Sequence, residues 1–440
     1  MQSSVLRSCA LAAASLALVA CSAGPSLPIE QGYGADPTLP EPHRQTIPHV
    51  NIAPAEGWTE GEAPTPAQGL NVAAFANGLD HPRWLYVLPN GDVLVAESNA
   101  PANRPDEQRG IRAFFMRLAM RSAGATAPSA DRITLLRDGD GDGVAETRTV
   151  FLQNLHSPFG MALVGDTLYV ANTDAVVSFP YRTGQTEISA QPTRLVDLPA
   201  GTRNHHWTKN IIASPDGAHL YATVGSNSNV GENGMAVEEG RAAIWEINIA
   251  DGSHRAFASG LRNPNGMDWA PGGGALWTVV NERDEIGNDL VPDYMTSVRD
   301  GAFYGWPYYY YGTHRDERIA IPANVRLQAA TSPDFALGSH TASLGLVFNR
   351  GDALGARYRG GAFVGQHGSW NRAEPSGYKV IYVPFANGQP NGEPQDVLTG
   401  FLDEEGNARG RPVGVVFDRA GALLVADDVG NVIWRVSAQR

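Results

Sequence analysis

The chain reads as an all-β protein, a six-bladed β-propeller with long loops on one face. Three observations predict this. A strand–turn–strand motif recurs six times. Gly and Pro are abundant, 49 and 30 of 440 residues, which favours turns over long helices. The repeats fill residues 69–440 at roughly 60 residues per unit, more than the ~45 of a minimal blade, so the loops are long.

The chain opens with a segment that is not part of the fold. Arg7 supplies a positive charge and Ala10 to Ala20 is an apolar run. That run is too short for a bilayer, which needs about 20 apolar residues, so residues 1–21 read as a secretory signal. It ends Leu18-Val19-Ala20-Cys21, which resembles a bacterial lipobox with Cys21 as the lipidated residue. Ordinary cleavage near Ala20 or Ala23 is the alternative. Lipidation implies a periplasmic or cell-envelope protein that meets the membrane only through its anchor. The two cysteines, Cys9 and Cys21, both lie in this region. They cannot build a thiolate zinc site, an iron–sulfur cluster or a disulfide framework. Residues 22–68 carry nine prolines and no apolar periodicity. They are expected to form an extended, semi-rigid tether, partly wrapped on the domain.

From residue 69 the hairpins follow in order. They read LPNGDVLVAES (88–98), LVGDTLYVANT (163–173), SPDGAHLYATVGS (214–226), APGGGALWTVVN (270–281), YRGGAFVGQHGS (358–369) and FDRAGALLVADD (417–428). Each joins a tight Asx or Gly turn to a strand of period 2. The alternation at Val93 and Val95, or Leu168 and Val170, is expected to place one side chain of each pair between stacked sheets. Entry strands precede the hairpins: HPRWLYV, SPFGMAL, HHWTKNIIA, NPNGMDW, ASLGLVF and RPVGVVF. One segment breaks the pattern. Ile111 to Gly124 has helical spacing, with Phe114, Phe115, Leu118 and Met120 on one stripe. Burial on the propeller rim is expected, against a membrane- or partner-facing role.

Lys+Arg number 33 and Asp+Glu 46, a net charge of −13. This argues against a nucleic-acid partner, which needs clustered cations. Candidate chemistry gathers at the blade entries. His205 and His206 stand side by side at a strand start; an imidazole there could take a proton from a hydroxyl, or the pair could be plain loop histidines. Arg262, Asn263 and Asn265 offer a planar cation and amides for an anionic, oxygen-rich ligand, or a turn held by Asn-Pro and Asn-Gly. Asn281 to Asp289, followed by Gly305-Trp306-Pro307, offers oxygen ligands for a hard cation, or a solvated acidic loop. Asp138, Asp140 and Asp142 open a calcium-loop motif with Glu146 at its ninth position, but Thr149 stands where a Glu is needed at the twelfth. Weak Ca²⁺ binding and a plain Asp-Gly turn both remain open.

The order of these motifs resembles the soluble quinoprotein sugar dehydrogenases that use pyrroloquinoline quinone (PQQ), and among them the sorbosone dehydrogenase-like branch. The similarity spans residues 69 to 437. Its most specific parts are NHHWTKNIIASPDG (204–217), GLRNPNGMDW (260–269), NERDEIGNDLVPDY (281–294) with YGWP (304–307), and GRPVGVVFDRAGALLVADDVGN (410–431). The resemblance implies PQQ and Ca²⁺ as cofactors, a small sugar as substrate and a separate electron acceptor. It implies that His206 is the base and His205 its neighbour, and that Arg262, Asn263 and Asn265 contact or adjoin the quinone. It implies that the loop at Glu282 and Arg283 lies near the Ca²⁺, and that Arg411 meets a cofactor carboxylate. Hydride would pass from the sugar C1 to the quinone C5 while Ca²⁺ polarises that carbonyl. The chain departs from the pattern at three places. Trp207, Thr208 and Lys209 follow the His. Gln366-His367-Gly368 stands where a cofactor-binding Lys is usual. Val413 stands at a second cationic position, for which Arg409 is the nearest substitute. Two other classes stay open: a metal-dependent propeller lactonase, whose axial metal needs converging acidic side chains, and a non-catalytic propeller platform.

Overall fold

Each of the six hairpins becomes the inner half of an antiparallel sheet, and the six sheets are the blades of a propeller. The computed structural model describes residues 26–44, 49–101, 121–124, 127–201, 203–272, 274–323 and 327–439. From the axis outward, blade I is Pro82–Val87, Val93–Glu97, Arg132–Arg137 and Thr147–Leu152. Blade II is Met161–Val164, Thr167–Ala171, Ala175–Pro180 and Thr193–Asp197. Blade III is Ile211–Ala213, His219–Val224, Ala243–Asn248 and His254–Ser259. Blade IV is Pro264–Trp269, Leu276–Val280, Pro292–Ser297 and Phe335–Ser339. Blade V is Ser343–Phe348, Ala362–Gln366, Lys379–Val383 and Gln395–Thr399. Blade VI is Pro412–Phe417, Leu423–Asp427 and Val432–Ala438, and its outer strand is Leu70–Ala76.

That last strand closes the ring. Leu70 pairs with Ala438 and Val72 with Val436, so the first strand of the domain is zipped to the last. Closure removes the open edge that a linear stack of sheets would leave.

The core is divided among the gaps between blades. Leu94, Ile133, Leu168 and Val170 fill the gap between blades I and II. Trp277, Phe348 and Val364 fill that between IV and V, and Val93, Val95, Leu136 and Leu424 that between VI and I. Val93–Glu97 is therefore buried on both faces. The sequence alternation there is not inside against outside. Val93 and Val95 enter one gap while Leu94 and Ala96 enter the next. At the axis, inner strands meet backbone to backbone. A Cβ at Gly345 would stand 2.2 Å from the Val413 carbonyl oxygen, so only glycine lets blades V and VI approach this closely.

The Pro-rich segment is laid along the propeller through most of its described length. Tyr33–Gly34 adds a fifth strand to blade IV, and Thr65–Pro66 a fifth strand to blade V. Between them the chain crosses loops of blades IV, V and VI. The Leu27 N–H donates to Asp289 Oδ2 at 2.8 Å, His43 N–H to the Ile286 carbonyl at 2.9 Å, and Asn51 N–H to the Trp370 carbonyl at 2.9 Å. Trp58 packs edge-on against Phe401 and Trp434 and donates its Nε1–H to Asp427 Oδ2 at 2.8 Å. Residues 1–21, with Cys21, lie outside the described residues, as does the expected helix apart from 121–124. Within 121–124, Ala123 is buried and the Ser122 carbonyl accepts the Ala55 N–H at 2.8 Å. Among the described residues no helix is long and apolar enough to cross a membrane.

Candidate active site

The topology gathers the blade entries on one face. Every inner strand runs away from that face and every second strand returns to it. Residues just before inner strands and just after second strands must therefore share it. These include His81 and Arg83, His205 and His206, Ser226, Arg262 and Asn263, Asn281 to Asp284, His367, Arg411 and Asp428. An insertion between the third and fourth strands of blade IV climbs to the same face. It follows the outer edge of blade III, with Tyr304 N–H on the Ser259 carbonyl at 2.8 Å, and its Trp306 Nε1–H reaches the Asn229 carbonyl at 3.0 Å.

His206 is half-buried, and its Nδ1 lies 2.7 Å from the Ser226 carbonyl. A carbonyl only accepts, so Nδ1 carries the proton and Nε2 keeps its lone pair. Burial, then the Arg262 charge and the His205 ring, hold its basicity well below the usual histidine range. His206 is thus a neutral imidazole with one nitrogen fixed. Gly225 makes this position possible, because a Cβ there would stand 2.4 Å from Asn263 Oδ1 and 2.6 Å from His206 Cβ. His205 is exposed and packs edge-on to His206, with ring centroids 4.7 Å apart. Lys209 is fully buried and donates to the His206 carbonyl at 3.1 Å. Burial drives its amine well below the usual lysine range.

Arg262 is buried, and oxygens surround its guanidinium. Nη1 donates to the Glu282 carbonyl at 2.7 Å, Nε to the Asn229 carbonyl at 3.2 Å, and Nη2 to Asn229 Oδ1 at 3.0 Å and Asp284 Oδ2 at 3.3 Å. Asp284 Oδ1 lies 3.0 Å from Nδ1 of His340, whose Nε2 lies 2.9 Å from the Gly287 carbonyl. Burial alone would lower His340, but Asp284 and that carbonyl outweigh it and raise the ring above the ordinary histidine value. Asp293 receives the Glu282 N–H at 2.9 Å and the Ser343 N–H at 2.8 Å, pinning the loop to blade V. Burial pushes its carboxyl up to about 6.

The side chains of Glu282 and Arg283 turn inward to one another at 2.9 Å, and Arg283 continues to the Pro307 and Tyr309 carbonyls. What this loop offers a metal is its backbone oxygens, beside the Asp284 carboxylate that faces Arg262. They are hard donors of the kind Ca²⁺ takes, and the cation they hold is Arg262. A Ca²⁺ on the Glu282 carbonyl would share it with that guanidinium. Asp138, Asp140 and Asp142 are not part of this site. With Glu146 they cluster in the turn between the third and fourth strands of blade I, at the opposite face. Asp138 there accepts the Gly141 and Gly143 N–H groups at 2.7 and 2.9 Å.

A second group, unseen in the sequence, sits where blades I, V and VI meet. Asp428 accepts from Arg83, and its Oδ2 lies 2.8 Å from His367 Nε2. His81 Nδ1 lies 3.0 Å from the Asp428 carbonyl. Burial would raise Asp428, but the imidazoles of His367 and His81 and the Arg83 guanidinium reverse this and hold it below the carboxylate range. Burial lowers His367 to about 4 and lowers His81 as well, so the lasting positive partner at neutral pH is Arg83. Arg411 donates to the Ala53 carbonyl at 2.9 Å and lies over the Tyr378 ring at 5.1 Å. Arg409 has a different partner, Glu62, at 2.9 Å.

Several buried atoms of this face have no partner: Asn263 Oδ1, Asn265 Oδ1, Arg83 Nε, Arg411 Nε and Asp428 Oδ1. Unpaired buried polar atoms are costly. Two of these atoms, Arg83 Nε and Arg411 Nε, are open donors, and with the His206 base on the same face they fit a flat, anionic ligand such as PQQ.

A closed six-bladed propeller carrying a neutral histidine and several arginines on one face defines a class, the propellers with an entry-loop site near the axis. The family follows from the sequence. A family model described as TrAA12-like matches residues 129–298 and 323–439, more than half of the chain, and the chain belongs to that family. It is 22% identical over 426 residues to a pyrroloquinoline quinone-dependent sugar dehydrogenase of Hypocrea jecorina (strain QM6a), covering 84% of this chain and 89% of that protein. The holo PQQ domain of a pyranose dehydrogenase from Coprinopsis cinerea superposes with a TM-score of 0.67 at 21% identity, covering 88% of this chain and 100% of the other. A calcium structure of the Trichoderma reesei family AA12 enzyme gives a TM-score of 0.68 at 18% identity, covering 89% and 99%.

Proposed function

We propose that the chain is a PQQ-dependent oxidoreductase that oxidises an aldose or a related sugar aldehyde, of the sorbosone kind, to the lactone or acid. His206 carries the reading. Its Nδ1–H is committed to the Ser226 carbonyl, so Nε2 is left to take the proton of the sugar C1 hydroxyl. When bound, PQQ supplies a hydride-accepting quinone and Ca²⁺ a Lewis acid. The remaining work belongs to the chain. Arg262 is a fixed positive charge, oriented before substrate arrives, against which negative charge on an oxygen is stabilised. Asn263 and Asn265 offer amides beside it, and the Glu282 and Arg283 carbonyls would hold the metal. His205, exposed at the rim, borders the sugar.

The reading includes attachment to the cell envelope through Cys21, resting on the N-terminal sequence, and a separate acceptor for the electrons. The test is a titration of purified protein with PQQ and Ca²⁺, followed by the quinone absorbance, then addition of aldoses. Binding and sugar-dependent bleaching are expected. His206→Ala is expected to bind PQQ normally but bleach at least about 10²-fold more slowly. Failure of the unmodified protein to bind PQQ refutes the reading.

A further inference from the structure

Beneath His206 lies a buried amine that the proposed chemistry does not use. The chain has two lysines among its 33 cationic residues, Lys209 and Lys379. Lys379 is half-buried and paired with Asp396 at 2.7 Å. Lys209 is fully buried, and among the described residues no carboxylate is paired with it. The charged group that faces it is a second cation, Arg241, just before the third strand of blade III. The buried arginines of this face are placed differently. Arg283 is paired with Glu282 and Asp316, and Arg262 with Asp284. An arginine keeps its proton in the fold and needs such a partner, whereas a buried lysine sheds its proton. Burial first, and then the Arg241 charge, take Lys209 in that direction. What stands under His206 is therefore an uncharged amine that still carries N–H donors.

We infer that Lys209 is a positioning residue for His206, its amine holding from within the peptide on which the imidazole stands. This rests on the reading of His206 as the base. Nζ reaches back three residues to the His206 carbonyl at 3.1 Å. The rest of the turn is tied down by its neighbours. Thr173 Oγ1, from blade II, donates to the Trp207 carbonyl at 2.9 Å, and Asn265 Nδ2, from blade IV, to Thr208 Oγ1 at 3.3 Å. The Gly160 N–H donates to the Lys209 carbonyl at 3.0 Å. The ring is fixed separately, by the Ser226 carbonyl. Anchors on both peptide and ring set the direction in which Nε2 points. An ammonium in the same place would work against the base. Arg262 and His205 already depress His206, and a charge on Lys209 acts in the same sense. The neutral amine supplies the hydrogen bond without that charge. A lysine that only filled space would matter to stability and leave the ring unaffected.

Two labels on the full chain read the inference without the cofactor. Lysine labelled at Cε gives two side-chain signals, and Lys209→Met removes one of them, which assigns it. At neutral pH that signal is expected at the free-amine position and the Lys379 signal at the ammonium position. Histidine labelled at its ring nitrogens is expected to show His206 as the Nδ1–H tautomer in the unmodified chain and as a mixture of tautomers in Lys209→Met. In PQQ and Ca²⁺, Lys209→Met is expected to bleach about tenfold more slowly on adding aldose, with PQQ affinity within about twofold of the unmodified chain. Lys209→Gln, a neutral donor of similar reach, guards against a folding defect and is expected to regain most of the rate. An ammonium signal for Lys209 in the unmodified chain overturns the inference and leaves the proposed function standing. So does an unchanged His206 ring or an unchanged bleaching rate in Lys209→Met. Parallel loss of melting temperature, PQQ affinity and rate in both variants overturns it in favour of plain packing. No PQQ binding by the unmodified chain refutes the proposed function, and the His206 ring signal then decides alone whether Lys209 positions the ring.

Discussion

Gly225→Ala tests the geometry of the site most directly. Gly225 follows the second strand of blade III, and its own φ is not among the positive values, so any effect is steric. The added methyl would stand 2.4 Å from Asn263 Oδ1 and 2.6 Å from His206 Cβ. Ordinary contacts are about 3.5 Å or more, so His206 must move by about 1 Å. Both neighbours are held, Asn263 by the start of blade IV and His206 by the Ser226 carbonyl. Overpacking of this kind costs about 1–3 kcal/mol. A displacement of about 1 Å at a positioned group costs about 10²-fold in rate. Denaturation curves measure the first and PQQ-dependent dye reduction the second. A variant with unchanged stability and turnover would refute the packing argument.

The remaining predictions concern the Asp428 group and the wrapped segment. His367 is neutral in the fold, its basicity lowered to about 4 by burial. Its contribution is fully present above the ordinary histidine value near 6.5 and is lost as pH falls from there to about 4, by up to about 3 kcal/mol. Asp428, Arg83, His81 and Arg411 face it, and Asp427 precedes Asp428 in the chain. Stability–pH curves of the protein and of His367→Gln should therefore converge on acidification, and parallel curves would contradict the assignment. Trp58→Ala should cost about 2 kcal/mol in denaturation experiments, because the indole joins the segment to Phe401, Trp434 and Asp427.

The blades were legible because they are local. Turns such as Pro89-Asn90-Gly91 and the period-2 strands beside them lie within a dozen residues, and all six entry strands fall where the repeats put them. The fifth strands were not legible. Tyr33–Gly34 and Thr65–Pro66 are two residues long, and nothing in so short a stretch distinguishes a strand from a bend. His206 and Arg262 stand out in the sequence because each sits at a repeated entry. What holds them does not, since Ser226, Gly225 and His340 act by position more than by kind. The Asp428 group eluded the sequence for a topological reason. His81, Arg83, His367 and Asp428 span nearly the whole domain and meet only when Leu70–Ala76 closes the ring. The Asp138 turn was readable as an acidic turn, but which face it occupies depends on strand direction.

The wrapped segment also sets a distance. Leu27 is already fastened to Asp289 and Arg372 on the face that carries His206 and Arg262. Six residue steps separate Cys21 from Leu27, at most about 21 Å of extended chain. Whatever is attached at Cys21 is therefore leashed to the rim of that face, and the Pro-rich stretch provides little distance from it. A lipid at Cys21, as proposed above, would keep that rim within about 21 Å of its point of attachment.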